Sequence, residues 1–224
     1  MNHFLTSLSQ DRPAAWLHRV TMAAAVAALL PAWAAAQATA PLNDTGVPCH
    51  VACNDANYPG QDGRYGRDAA QARGVLSKAG DGVAAFDFTA LDASGTVTTT
   101  LGSHKCVYDN VTGLLWSSER NLTSNWTDAV NAASIHERCG RNSGWRLPTR
   151  RELLSIVYRG VLNPAIDGDY FPNTGTGTGN RYYTADEYAP DTSEVWTVEF
   201  YSGGAGWRPK NLQDHSRFVR SGLD

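Results

Sequence analysis

Three textures follow one another along the chain. The first is a polar stretch carrying Arg12, His18 and Arg19, then an almost unbroken apolar run from Val20 to Trp33, then small residues, "AAAQA". Charged, apolar and small-residue regions in that order compose a secretory signal. The run falls short of the roughly 20 apolar residues that a bilayer-spanning helix needs. Residues 1–36 are therefore expected to be a signal peptide, with A-x-A cleavage sites after Ala36 or Ala38. In the second texture, residues 37–85, Gly, Asp and Asn abound and large apolar side chains are sparse. "NYPGQDGRYGRD" there reads as turns, so an irregular N-terminal extension is expected. In the third, residues 86–224, short periodic segments alternate with turn chemistry, as in a folded domain.

Within that domain "FDFTAL" (86–91) alternates as a half-buried strand does, and "TVTTTL" (96–101) is expected to return beside it after the turn "ASG". "KCVYDN" (105–110) and "GLLW" (113–116) predict two more strands. Two helices follow. "WTDAVNAASIHERCG" (126–140) puts Trp126, Ala129, Val130 and Ala133 on one face, with Asn125 or Thr127 as cap and Gly140 as stop. "LPTRRELLSIVYRG" (147–160) spaces Thr149 and Glu152 as a capping box and carries Leu153, Ile156 and Val157 as a buried stripe, with Gly160 as stop. Then "RYYTA" (181–185), "EVWTVEF" (194–200), "GWRPK" (206–210) and "SRFVRSG" (216–222) predict strands, with Trp196, Val198 and Phe200 as the apolar face of the second. Strands, two helices and more strands make an α+β domain: two helices packed on a small antiparallel sheet with long loops.

Charge narrows the function classes. The chain carries a net charge of −3. Without residues 1–36 it holds 17 basic against 21 acidic side chains, so no polycationic face for nucleic acid is expected. No second apolar stretch is long enough to cross a membrane, so no integral membrane part is expected after signal cleavage. All four cysteines, Cys49, Cys53, Cys106 and Cys139, follow the signal, and an even count in an exported chain favours disulfides. Of the three pairings that four cysteines permit, Cys49–Cys53 with Cys106–Cys139 is the favoured one. A metal site is the rival, but Cys49 and Cys53 have only His50 nearby and no second close-spaced pair. "DGDYF" (167–171) and "DEYAPD" (186–191) are acidic enough for Ca²⁺ but match no calcium loop, so they read as solvated turns and no cofactor is expected, with Ca²⁺ left as the unsupported alternative. Asn43, Asn110, Asn121 and Asn125 each stand in an N-x-T triplet and read as polar turns and caps.

Five segments occur in an order that is more specific than any of them alone: "CVYDNVTGLLW" (106–116), "NWTDAVNAA" (125–133), "CGRNSGWRLPTRRELLSIV" (139–157), "NPAIDGDYFPNT" (163–174) and "RFVRSG" (217–222). Together they resemble the Lcl C-terminal domain family, found in exported bacterial proteins, over residues 104–222. "RLPT" followed by Glu152 also resembles, distantly, the sulfatase-modifying and formylglycine-generating domains. The resemblance implies a C-type-lectin-like fold and a role in adhesion. In the collagen-like adhesin of the family, the domain is associated with sulfated glycosaminoglycans. Two features depart from that adhesin: residues 86–224 carry a net charge of −3, and no G-x-y repeat is present.

Lectin-like domains present ligands on their late strands and loops. "YSGGAGWRPKN" (201–211) combines Gly-rich turns with Trp207, Arg208, Lys210 and Asn211, and with Tyr201 these form the candidate ligand-binding set. Trp196, Tyr182 and Tyr183 lie in the same region. Trp116, Trp126 and Trp145 are expected in the core. Arg146 is expected to pair with Glu152 or Asp109. No catalytic residue is expected: the chain has no G-x-S-x-G, and no cysteine follows Cys139 to serve formylglycine-type chemistry. These features predict a non-enzymatic, periplasmic or secreted binding module with a glycan or protein ligand at the cell surface. The alternative is a structural or assembly component of an envelope complex.

Overall fold

The computed structural model describes residues 67–83 and 86–224. The signal segment 1–36, the first part of the extension and the Cys49–Cys53 pairing lie outside the described residues. None of the described helices is long and apolar enough to cross a membrane. The described part of the extension begins with a short helix, α1 (Arg67–Ala72), and is bonded to the domain. Asp81 and Phe88 exchange backbone hydrogen bonds of 2.8 and 2.6 Å. The Asp87 carboxylate accepts from the amides of Ala79 and Gly80 at 3.1 and 2.7 Å.

The domain is α+β, and its strands divide between two sheets where one was expected. The first sheet joins β1 (Phe88–Leu91), β2 (Cys106–Asp109), β3 (Leu114–Ser117) and β9 (Val219–Ser221) in that order, all antiparallel. The second runs β4 (Asn121–Thr123), β8 (Asp214–Ser216), β5 (Arg181–Glu187), β6 (Glu194–Glu199) and β7 (Ala205–Pro209). Its one parallel contact is between β5 and β8. The first sheet is covered on both faces. Successive side chains of a strand point to opposite sides. In the first sheet Ala90, Val107, Trp116 and Val219, aligned across the strands, enter one core cluster, while Leu91, Cys106 and Leu115 enter another. This double coverage explains why all four residues of β3 are buried.

Helix α2 (Trp126–Ser134) starts at Asn125, whose side chain accepts from the Asp128 amide, and Asp128 complements the dipole of the first turn. It is shorter than expected. Ala129 and Ala133 are its buried residues, whereas Val130 is exposed. Gly140 does not end it: Cys139 and Gly140 both adopt positive φ in the later turn that pairs Arg138 with Arg141. A Cβ at Gly140 would stand 2.6 Å from the Ser94 carbonyl, so glycine permits this turn to approach the β1 loop. Helix α3 (Arg150–Leu154) has the expected capping box between Thr149 and Glu152. It ends well before Gly160, although Leu153, Ile156 and Val157 are all buried. Arg146 grips Glu152 with two bonds of 2.7 and 2.6 Å.

Two expected strands came out differently. "TVTTTL" makes only a bridge from Val97 to Leu91, because its threonines and Leu101 have no core to face. "SRFVRSG" splits: β8 belongs to the second sheet, β9 to the first, with Arg217 and Phe218 buried between them. Asn121 belongs to β4, which pairs with β8, and not to a turn.

Cys106 on β2 is bonded to Cys139, with Cα atoms 6.3 Å apart and a sequence separation of 33. It fastens the loop after α2 to the first sheet. Replacing both cysteines by serine should lower unfolding free energy by about 3–4 kcal/mol in urea titrations.

Two carboxylates shift in opposite directions. Glu152 loses hydration by burial, yet the bonds from Arg146 and Thr149 outweigh this and hold it below the usual carboxylate range. Its contribution is present at neutral pH and is lost as pH falls through that lowered value. Asp214 on β8 is buried, and burial outweighs the attraction of Arg208 and Arg181, pushing it up to about 6. The folded state then holds a proton that the unfolded chain has released, so this term falls away as pH rises from about 4 to about 6. Unfolding of the wild type and Asp214→Asn, compared from pH 4 to pH 7, should show the wild type losing about 2–3 kcal/mol relative to the variant. Parallel pH profiles would refute the assignment.

Candidate functional site

The β6–β7 hairpin builds an aromatic surface. Register pairs Trp196 on β6 with Trp207 on the edge strand β7. Pro209, which has no amide hydrogen, sits near the end of that edge, where it hinders further strand pairing. Trp207 is 51% exposed. Tyr188, just after β5, lies parallel to it, with ring centroids 4.8 Å apart and 4° between planes. Trp196 stands edge-on to both, at 5.4 Å from Tyr188 and 6.0 Å from Trp207. The Arg150 guanidinium covers the Trp196 ring at 4.0 Å. Its position follows from the helix start, because the Arg150 amide donates to Asp186 on β5 at 2.6 Å.

Beside this surface Trp126 donates its indole hydrogen to the Thr184 carbonyl at 2.9 Å and carries Lys210 over its ring at 4.6 Å. Lys210 is ion-paired with Glu187. Trp126, Val130, Trp145, Leu147, Thr149 and Ala185 line an open, mainly apolar groove of about 460 Å³. Thr149 and Ala185 adjoin Arg150 and Asp186 in the chain, so groove and aromatic surface share a border. Across the helix loop His136 packs its ring against Trp145 and Phe218, and burial followed by Arg138 pushes it down to about 4. It is therefore neutral at physiological pH.

The five residues singled out in the sequence are not gathered in one place. Trp207 and Lys210 border the aromatic surface. Arg208 points to the other side, as the neighbour of Trp207 in a strand must, and its Nε lies 3.1 Å from the buried Asp214 carboxylate. Tyr201 sits in the turn at the far end of the hairpin, where its carbonyl accepts from the Asn163 amide. Asn211 is exposed in the turn after β7. Tyr182 and Tyr183 are fully buried and belong to the core. Trp116 and Trp145 are core residues as expected, whereas Trp126 is half-buried at the groove.

Tyr188, Trp196 and Arg150 are the members that sequence reasoning did not assemble. Only the β6–β7 register and the irregular end of β5 bring them together. Asp167, in the first acidic segment, is buried and accepts from the amides of Val83 and Asp169 at 2.9 and 3.1 Å. Among the described residues no group of three or more His, Cys, Asp or Glu side chains is placed to hold a metal ion.

No curated protein matches the chain. The family model of the Lcl C-terminal domain matches residues 105–220, more than half of the 224 residues. The matched span runs from the start of β2 into β9 and includes the disulfide, α2, α3 and the whole aromatic surface. The chain belongs to the Lcl C-terminal domain family.

Proposed function

We propose that this chain is a non-enzymatic binding module, acting in the periplasm or at the cell surface, that takes carbohydrate on the Tyr188–Trp196–Trp207 surface. The observation that carries the reading is the exposed Trp207 ring, stacked on the half-buried Tyr188, with Trp196 edge-on beside it. Large rings left in water cost free energy that a ligand's apolar face would recover, and rings already packed together lose little freedom on binding. A sugar ring offers an apolar C–H face for stacking and hydroxyls around its edge. Arg150 over the Trp196 ring and the Lys210–Glu187 pair border the surface and are already engaged, so the stacking face is what the surface offers. The Cys106–Cys139 bond and the family membership support action outside the cytoplasm.

A glycan array with the folded chain tests this. The wild type should bind a defined set of neutral or mixed glycans. Trp207→Ala and Tyr188→Ala should each weaken binding by about tenfold or more, as an interface anchor does. Trp207→Ala should keep the wild-type circular dichroism, since it alters an exposed edge, and the same spectrum checks that the half-buried Tyr188→Ala is folded. A blank array, or full binding by both variants, would sink the reading.

A further inference from the structure

The groove beside the aromatic surface has a chemistry of its own. It is open, about 460 Å³ in volume, and mostly apolar, with Trp126, Val130, Trp145, Leu147 and Ala185 in its lining. Clefts that take small molecules run from about 300 to about 1,000 Å³. Each polar side chain in the lining already has a partner inside the domain. The Trp126 indole donates to the Thr184 carbonyl at 2.9 Å, and the Trp145 indole to the Arg141 carbonyl at 3.2 Å. Ser134 Oγ donates to the Asn131 carbonyl at 2.7 Å. Arg146 is held by Glu152, and Thr149 Oγ1 accepts from the Glu152 amide at 3.2 Å. A hydroxyl or peptide amide seated there would exchange its water for groups that are already bonded, at a net cost. A hydrocarbon carries no such cost and gains by leaving water.

The walls are set before a ligand arrives. His136 stands edge-on to Trp145 at 5.0 Å, and Lys210 lies over Trp126 at 4.6 Å. The groove also continues from the aromatic surface. Thr149 lines it, and the next residue, Arg150, covers Trp196. Ala185 lines it, and the next residue, Asp186, accepts from the Arg150 amide. The cations along this border are engaged: Arg146 with Glu152, Arg150 with the Trp196 ring and Lys210 with Glu187. An uncharged head group therefore suits the border better than an ionic one.

We infer that the groove seats a hydrocarbon chain, and that the ligand of this edge is an uncharged amphiphilic glycoside with its sugar on Trp207 and its alkyl or acyl chain along Trp126, Val130 and Trp145. The sugar's place rests on the carbohydrate reading; the chain's place rests on the groove alone.

The test is a titration of the intact, ¹⁵N-labelled chain with methyl, butyl, hexyl and octyl β-D-glucopyranosides, each kept below its micelle-forming concentration, with 1-hexanol as the sugar-free control. Indole resonances of Trp126, Trp145 and Trp207 are followed. Affinity should rise by about two- to fourfold per methylene until the groove is filled, the gain from taking a CH₂ out of water. The chain should shift Trp126 and Trp145, and the sugar should shift Trp207. Val130→Glu, a change at an exposed helix position, should remove the dependence on chain length. Equal affinity across the series overturns the inference, as does a chain-length dependence that survives Val130→Glu, or the absence of any response. Equal affinity for hexyl glucoside and 1-hexanol overturns it too, because the sugar then contributes nothing. A series that is flat in chain length but still shifts Trp207 leaves the carbohydrate reading standing and removes only the role of the groove.

Discussion

One strand segment, Asp214 to Ser221, belongs to both sheets, and the crossing at Arg217 and Phe218 holds the domain in register. Its first part lies between β4 and β5, its last part beside β3. At the crossing the Ser117 amide donates to the Phe218 carbonyl and Arg217 donates to the Ser117 carbonyl. Phe218 then enters one core cluster and Val219 the other. A slip of one residue here would exchange the faces of every side chain in the segment. It would also remove the guanidinium from Phe171 and Tyr182, over whose rings it lies at 4.8 and 5.9 Å.

The segment that most marks the family is structural in its bonds and functional in its consequence. Arg146 fixes Glu152, and Glu152 accepts from the Thr149 amide at 2.8 Å and so fixes the helix start. The next amide, of Arg150, is tied to Asp186. This chain of bonds ends in a guanidinium over Trp196. Through Arg150 the motif holds in place one wall of the surface to which Trp207 belongs. Such preorganisation is what a binding site built on strands and helix ends can offer.

Much of this was legible in the sequence. The capping box was readable because both partners lie within one turn of helix, β1 because its apolar and polar residues alternate, and β2 and β3 because their apolar residues are dense and the turn between them short. An even count of cysteines after a signal-like segment pointed to disulfides, and the favoured Cys106–Cys139 pairing, one of three that four cysteines permit, is the one formed. What stayed hidden was non-local. β4 carries "NLT", whose Leu122 is exposed, and so shows no period that marks it as a strand. The division into two sheets depends on where the chain bends at Arg217. Trp207 and Arg208 are adjacent in sequence and looked like one patch, but in a strand adjacency separates them onto opposite faces. Tyr188, 19 residues earlier, is the true neighbour of Trp207.

The two edges of the second sheet therefore differ in kind. At the β7 edge the charges are already engaged: Arg150 covers a ring and Lys210 is paired with Glu187, so aromatic area is what remains for a ligand. At the β4 edge the aromatic rings are buried, with the Arg217 guanidinium over Phe171 and Tyr182. Stacking depends little on ionic strength. On the carbohydrate reading proposed above, recognition at the β7 edge is governed by the shape of the ligand's apolar face.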